Sequence, residues 1–231
     1  MNYEVFDAFP VSFYVGDMKE HDTHKKSFYE LYPKYDYKDD DRNNTVSENV
    51  GNPLIHLEDS LQPLFRDVIK HIKCYVYDVL EYKDIFNFTI TKTWLSRARQ
   101  SKDEIKWHIH STSHISFAYY LNCPPNSHHI AFKNPHMKNS LFLGSTAVSD
   151  FEDRVMLKEF NQYNSESFFL GPPEGTLIIF PSSITHRTEA RIENFSGERL
   201  AIVGDVTLTL KEENLHYSMG YIDPKYWKTF T

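Results

Sequence analysis

The sequence has little cysteine and no long apolar run. Its 231 residues include only two cysteines, Cys74 and Cys123, which excludes a small secreted fold held together by several disulfides. Nothing in it approaches the roughly 18 consecutive apolar residues of a membrane helix, and no apolar signal segment follows Met1. These absences predict a soluble, cytoplasmic protein whose thiols stay reduced.

Strong positive charge is also missing. The formal net charge is −7, which argues against broad binding to a nucleic-acid backbone, because such binding needs an extended basic surface. Internal repeats and low-complexity tracts are absent as well. A chain of this length can bury one core, so we expect a single domain over residues 1–231.

The residue patterns of the N-terminal part, residues 1–85, predict elements that pack on a sheet and cover it. Residues 4–15 are typical of a pair of strands, and the charged, tyrosine-rich stretch 19–44 predicts a solvated loop. From Leu57 to Leu80 apolar residues recur at helical spacing, with Asp59 or Ser60 as the N-cap and Pro63 in the first turn. This pattern predicts a long amphipathic helix that lies on a sheet.

Residues 86–210 change to strand patterns. Short apolar or alternating runs separated by turn residues predict strands over 86–94, 113–122, 130–132, 168–170, 176–180 and 200–210. Residues 139–162 are harder to assign, with a helical pattern over 151–160, and 211–231 form a tail. The fold class predicted is mainly β with covering helices, around a double-stranded β-helix, the jelly-roll or cupin-like core.

Three histidines stand out within these strand patterns. His108 and His110 flank one residue, and side chains at i and i+2 of a strand share a face, so both imidazoles can reach one ion. A lone His-x-His is more often a solvated polar face. Here, however, a third histidine, His186, follows a strongly apolar strand. The three together predict a mononuclear metal centre with open coordination positions.

Arg199 stands at the head of the last apolar strand. A buried guanidinium needs an anionic partner, since an unpaired charge in a β-core is costly. A dianionic cosubstrate would meet that requirement, and it would lie beside the metal.

With these residues the segment 87–210 resembles the iron(II)- and 2-oxoglutarate-dependent dioxygenases, in particular small oxygenases with a His-x-His, Phe-Pro-Ser, His and Arg pattern, and more distantly the prolyl hydroxylases. The resemblance implies that His108 and His186 bind Fe(II). It also implies that Tyr120, in the run Tyr-Tyr-Leu-Asn, and Arg199 bind the far carboxylate of 2-oxoglutarate. No catalytic residue is implied beyond the metal ligands.

His110 departs from the usual pattern of this superfamily, which has Asp or Glu at that position. Either three imidazoles bind the iron, or only His108 and His186 bind it and His110 lies next to these ligands without contacting the iron. We favour three imidazoles, because a neutral ring can coordinate without rearranging the strand.

The remaining histidines near this segment, His114, His128, His129 and His136, are interpreted as exposed loop residues without a role. Tyr119 alternates with Tyr120 and is expected to pack between the sheet and the covering helix.

Three functions are compatible with these residues. The leading one is an Fe(II)- and 2-oxoglutarate-dependent oxygenase that uses O2, hydroxylates a C–H bond of an unknown substrate and releases succinate and CO2. A cupin-type thiol dioxygenase with three histidines would use Arg199 for its substrate instead. A jelly-roll binding module without catalysis would bind no stoichiometric iron. Sequence alone does not identify the prime substrate.

Overall fold

The structure is a computed structural model that describes residues 4, 7, 9–35, 46, 53–135, 158–218 and 220–230. Its strands and α-helices follow in chain order as β1 (Tyr14–Asp17), α1 (His21–Leu31), α2 (Gln62–Cys74), β2 (Phe86–Gln100), β3 (Ile105–His108), β4 (Ile115–Asn122), β5 (His129–Lys133), β6 (Ser167–Leu170), β7 (Thr176–Pro181), β8 (His186–Glu189) and β9 (Ser196–Leu210).

The strands form two antiparallel sheets that face each other. The larger sheet has five strands in the order β1-β7-β4-β9-β2, and the smaller has four in the order β3-β8-β5-β6. Strands distant in sequence are neighbours in both sheets, as β4 and β9 are, so the chain winds back and forth between the sheets. This is the double-stranded β-helix that the strand patterns predicted.

The outer face of the larger sheet is covered by the helices. The apolar stripe of α2 is buried there, with Leu64, Phe65, Val68 and Ile72 in the same core cluster as Tyr119 of β4. Burying a side chain of this size contributes about 1.5–3 kcal/mol, so the stripe predicted from the sequence fixes the helix on the sheet. Among the described residues no helix is long and apolar enough to cross a membrane.

The predicted start of this helix is wrong. Asp59 and Ser60 lie inside a 3-10 turn, Asp59–Leu61, so neither is the N-cap residue of the α-helix, and no side chain caps it. Leu61 is the N-cap residue, and Pro63 lies in the first turn as expected.

The N-terminal region also differs from the prediction. The stretch 19–44, expected to be a loop, contains the helix α1, whose buried residues are His24 and Phe28. The pattern was missed because a histidine counts as polar, yet the His24 ring is buried against Asp67 of α2, 3.0 Å from Nε2 to Oδ2. Of the strand pair expected over residues 4–15, the described part of this stretch contains one strand, β1, which pairs with β7. The helical pattern over 151–160 lies almost entirely outside the described residues.

A second core fills the space between the two sheets. It joins apolar and aromatic side chains of both sheets and of the turn between β7 and β8: Ala118, Tyr120, Ile130, Phe132, Ile178, Phe180, Ile184 and Ala201. Residues of β4 alternate between the two cores, so Tyr119 faces the helices and Tyr120 faces the space between the sheets, as predicted. We call this space the intersheet cleft.

Candidate metal centre and cosubstrate pocket

His108 and His110 come together, although they do not share a strand. The strand β3 ends at His108, so the prediction that one strand carries both residues is wrong. Beyond His108 the chain is held by a different contact, in which the backbone N–H of His110 donates to the carbonyl of Ser182 at 3.0 Å. The neighbours Trp107 and Ile109 are exposed, and they line the same cavity as the two histidines instead of facing away from it.

His186 completes the cluster from the next strand. It is the first residue of β8 and lies in register with His108 on one side and Phe132 on the other. The ring centroids of His186 are 4.2 Å from His108 and 5.1 Å from His110. One nitrogen of each ring lies within 4.8 Å of the others. The structure thus brings together the three histidines that the sequence singled out.

Each of the three rings is oriented by a hydrogen bond on the same nitrogen. The acceptors of the Nδ1 atoms are the Lys106 carbonyl for His108 at 2.7 Å, Asp205 Oδ1 for His110 at 2.6 Å and the Ile184 carbonyl for His186 at 2.9 Å. Carbonyl and carboxylate oxygens only accept, so Nδ1 carries the proton in each ring and the Nε2 lone pair is free to bind an ion. This support of ring orientation by backbone carbonyls and a carboxylate is typical of histidine metal ligands.

Asp205 is a member of the site that the sequence analysis did not assign a role. It lies on β9 with its side chain almost fully buried, and its Oδ1 also accepts from Ser116 Oγ at 3.0 Å. Ser113 donates to Ser182, whose hydroxyl is 2.8 Å from Ser116. The three hydroxyls therefore donate in sequence toward the carboxylate.

Two of the three rings, those of His108 and His186, are held in the neutral state. Burial lowers the pKa of His186 to about 3, with a further contribution from neighbouring His108. Burial also lowers the pKa of His108. Because only a neutral imidazole can coordinate a cation, both shifts favour metal binding over protonation at neutral pH.

Tyr120 and Arg199 lie together deeper in the intersheet cleft. Both side chains are buried, with the guanidinium carbon of Arg199 4.9 Å from the centre of the Tyr120 ring. Burial raises the pKa of Tyr120, so its phenol remains a hydrogen-bond donor. Among the described residues no carboxylate pairs with Arg199, and Tyr120 Oη and Arg199 Nε have no hydrogen-bond partner. A buried guanidinium beside an unpaired phenol fits one end of a carboxylate ligand.

The other histidines do not behave alike. His114 is exposed and His129 is half-buried, whereas His136 lies outside the described residues. His128 was expected at the surface, and this prediction is wrong, because its side chain is 1% exposed and its ring packs against Phe195. The reason is a contact with a distant segment, because Phe195, which precedes β9, packs on the ring.

A cavity of about 540 Å³ leads from solvent to the histidine cluster. Its walls include His108, His110, Asp205, Trp94 and Trp107. The Trp94 ring is 5.4 Å from that of His110, and Arg187 stacks 4.5 Å above Trp107. A substrate entering here would reach His108 and His110.

Comparison with known proteins agrees with this geometry. Residues 92–205 match the sequence model of the family described as "Putative 2OG-Fe(II) oxygenase". The matched segment contains the three histidines, Tyr120 and Arg199. A search of curated proteins found no match.

Solved structures show the same fold at low sequence identity. A prolyl-4-hydroxylase from Pseudomonas putida aligns with a TM-score of 0.52 and 10% identity over 85% of this chain and 92% of its own. A prolyl hydroxylase from Trichoplax adhaerens, solved with a peptide fragment of the hypoxia inducible factor, aligns with a TM-score of 0.52 and 13% identity over 84% of this chain and 83% of its own.

A third similar structure is that of an enzyme named for a different reaction. It is the non-heme alpha ketoglutarate dependent epimerase SnoN from nogalamycin biosynthesis, with a TM-score of 0.54 and 9% identity over 89% of this chain and 81% of its own. Likeness at this identity establishes the fold, while the family match adds the sequence motifs. Residues 92–205 are therefore similar to the iron(II)- and 2-oxoglutarate-dependent oxygenases, and the cofactors that this family uses are Fe(II) and 2-oxoglutarate.

Proposed function

We propose that His108, His110 and His186 bind one Fe(II), that Tyr120 and Arg199 bind the far carboxylate of 2-oxoglutarate, and that the enzyme hydroxylates a C–H bond of its substrate with release of succinate and CO2. The observation that carries this proposal is the orientation of the three rings, because each Nδ1 is engaged by an acceptor and three Nε2 atoms remain for one ion. A cluster of solvated histidines would not need three separate supports.

The iron, when bound, supplies the activation of O2 and the oxidation of 2-oxoglutarate. The residues of the chain supply ligands and placement. His108 and His186 stay neutral at physiological pH for the reason given above, so the protein offers ligands without first releasing protons from these two rings.

Arg199 and Tyr120 would fix the cosubstrate at its far end. The planar guanidinium matches the two oxygens of a carboxylate, and the phenol adds one further donor. Both groups lie where water has little access, so each hydrogen bond to the ligand is made in a medium of low polarity and is strengthened accordingly. A monocarboxylate 2-oxoacid would leave the guanidinium unpaired.

Asp205 would adjust the charge of the metal centre. A site with three imidazoles is one unit more positive than a site with two histidines and a carboxylate. The buried Asp205 carboxylate, hydrogen-bonded to His110, places a negative charge one residue away from the ion. This raises the electron density of the ring and so strengthens His110 as a ligand.

The experiment that tests the function combines a metal titration with turnover. Purified protein is titrated with Fe(II) without oxygen, and succinate release from labelled 2-oxoglutarate is then followed in air without any prime substrate. We expect one Fe(II) per chain and slow uncoupled succinate formation that requires both iron and 2-oxoglutarate. Stoichiometric iron without any 2-oxoglutarate consumption would favour the thiol dioxygenase, and failure to bind iron would leave only the binding module.

A further inference from the structure

Apolar side chains form much of the wall of the cavity that leads to the histidine cluster. Trp94, Trp107 and Ile109 line this cavity. Trp107 is 37% exposed and Ile109 is 50% exposed, and the two residues flank His108 in the sequence. Large apolar side chains that solvent reaches at one place typically mark a binding surface. The cavity volume of about 540 Å³ lies within the usual range of small-molecule sites.

A cation lies over each of the two tryptophan rings. Lys92 Nζ is 5.4 Å from the centre of the Trp94 ring, and the guanidinium carbon of Arg187 is 4.5 Å from that of Trp107. The negative face of an aromatic ring attracts such a cation. Arg187 also forms an ion pair with Glu189, so its charge is compensated and its main effect is to orient the Trp107 ring. Lys92, by contrast, belongs to the cavity wall itself.

The cavity wall carries more cationic than anionic side chains. Lys92 and Lys106 line it, and among its described lining residues Asp205 is the only carboxylate. Asp205 already accepts a hydrogen bond from His110. Lys106 pairs with Glu104 at 3.8 Å, but both side chains are exposed, and an exposed pair of this kind contributes little. Positive charge therefore lies beside apolar surface in this cavity, although the net charge of the protein is −7.

We propose that the prime substrate is a small molecule with a flat apolar body and a negatively charged group. This inference rests on the proposed function, because it assigns the substrate of the same iron site. The observation that carries it is the position of Lys92 Nζ over Trp94, which places positive charge and apolar surface at one point of the wall. The apolar body packs against Trp94 and Trp107, and the anionic group pairs with the ammonium of Lys92 or Lys106.

The test is isothermal titration of 2-naphthoate into the anaerobic Fe(II) protein saturated with 2-oxoglutarate, which keeps the probe away from the cosubstrate pocket. The comparison ligand, 2-naphthamide, has the same ring system without the charge. The variant combines Lys92→Gln with Lys106→Gln. The matched control combines Lys102→Gln with Lys133→Gln, which removes the same charge from residues that do not line the cavity.

We expect wild type to bind 2-naphthoate more tightly than 2-naphthamide. The variant without the two cavity lysines should bind 2-naphthoate roughly 3- to 10-fold more weakly, since partly exposed ion pairs are modest, and 2-naphthamide equally well. The control should match wild type for both ligands. Added salt should weaken the binding of 2-naphthoate alone. Trp107→Leu should weaken both ligands, whereas Trp227→Leu, which changes an exposed tryptophan of the C-terminal tail, should weaken neither.

Equal affinity of wild type for the two ligands, or binding of neither, would overturn the inference. Undiminished 2-naphthoate binding without the two cavity lysines would overturn it as well, because the probe would then be held by the iron alone. If that variant does not fold, the salt dependence of wild type decides. Iron and 2-oxoglutarate binding are measured first, and their failure is a separate result that would remove the proposed function itself.

Discussion

The two ends of the intersheet cleft differ in how far the protein completes its own hydrogen bonds. At the metal end, formed by His108, His110 and His186, every Nδ1 has an acceptor within 2.9 Å. At the carboxylate end, formed by Tyr120 and Arg199, Tyr120 Oη and Arg199 Nε lack a partner among the described residues.

This difference indicates two ways of binding. A metal ion needs ligands held in one orientation, so the protein supplies the supporting acceptors itself. A carboxylate ligand supplies the acceptor oxygens, so the protein needs to provide only hydrogen-bond donors. Changes at the metal end should therefore affect iron retention first, and changes at the carboxylate end should affect cosubstrate affinity while iron stays bound.

The largest effect is expected from His186→Ala. His186 is the most buried of the three histidines, and its loss leaves two ligands, so we expect no stoichiometric iron after dialysis. Metal analysis of the purified variant, with His129→Ala as control, measures this directly. Full iron occupancy in His186→Ala would contradict the metal centre. In the same assay His110→Ala decides whether three imidazoles or two bind the iron. Undiminished iron occupancy in this variant would show that His110 is not a ligand.

Arg199→Lys should have the next largest effect, at the carboxylate end of the intersheet cleft. Lysine keeps the charge but cannot hold a carboxylate in a planar two-pronged contact. The loss of this charge-assisted contact costs about 2–3 kcal/mol, which corresponds to a 2-oxoglutarate affinity roughly 30- to 150-fold weaker. Calorimetric titration of the Fe(II) protein measures the change, and metal content should equal that of wild type. Unchanged 2-oxoglutarate affinity would mean that Arg199 binds the substrate instead, as in a thiol dioxygenase.

Asp205→Asn tests the support behind a metal ligand. The amide oxygen can still accept from His110 Nδ1, so geometry is largely kept while the buried negative charge is lost. Changes of this kind behind a histidine ligand lower metal affinity about 10- to 100-fold. Competition with a chelator gives the Fe(II) affinity, and Ser116→Ala, which removes only the neighbouring hydroxyl, should show a smaller decrease. Equal iron affinity in Asp205→Asn and wild type would show that the charge plays no part.

The sequence was sufficient for the parts of the site that depend on residue type and strand order. The strands predicted over 113–122, 176–180 and 200–210 exist with small shifts in their ends. Alternation along β4 separated Tyr120 from Tyr119 correctly. Period-two alternation can be read locally, because it depends only on which neighbouring side chains share a face.

What the sequence could not show depends on contacts between distant segments. His110 is placed by a backbone hydrogen bond to Ser182 rather than by a strand, and no local pattern contains that bond. His128 was judged exposed because histidines in loops usually are, whereas its ring is buried and packs against the distant Phe195. Asp205 becomes significant only once β9 lies beside β4 and its carboxylate meets His110.

The smallest effect is expected from Tyr120→Phe, and its neighbour provides the control. Both tyrosines of the pair are fully buried, but Tyr119 faces the helices, where its hydroxyl is 2.6 Å from His21 Nδ1, while Tyr120 faces the carboxylate end. Removing the Tyr120 hydroxyl should cost about 1 kcal/mol of 2-oxoglutarate binding, or roughly a 5-fold weaker affinity. Tyr119→Phe loses a hydrogen bond of its own, so it should lower the free energy of unfolding by a similar amount and leave 2-oxoglutarate affinity unchanged. Titration calorimetry and urea denaturation of the two variants therefore separate ligand binding from folding within one dipeptide. If Tyr119→Phe weakened cosubstrate binding as much as Tyr120→Phe, the effect would come from the packing of β4, and the assignment of Tyr120 to the carboxylate would lose its support.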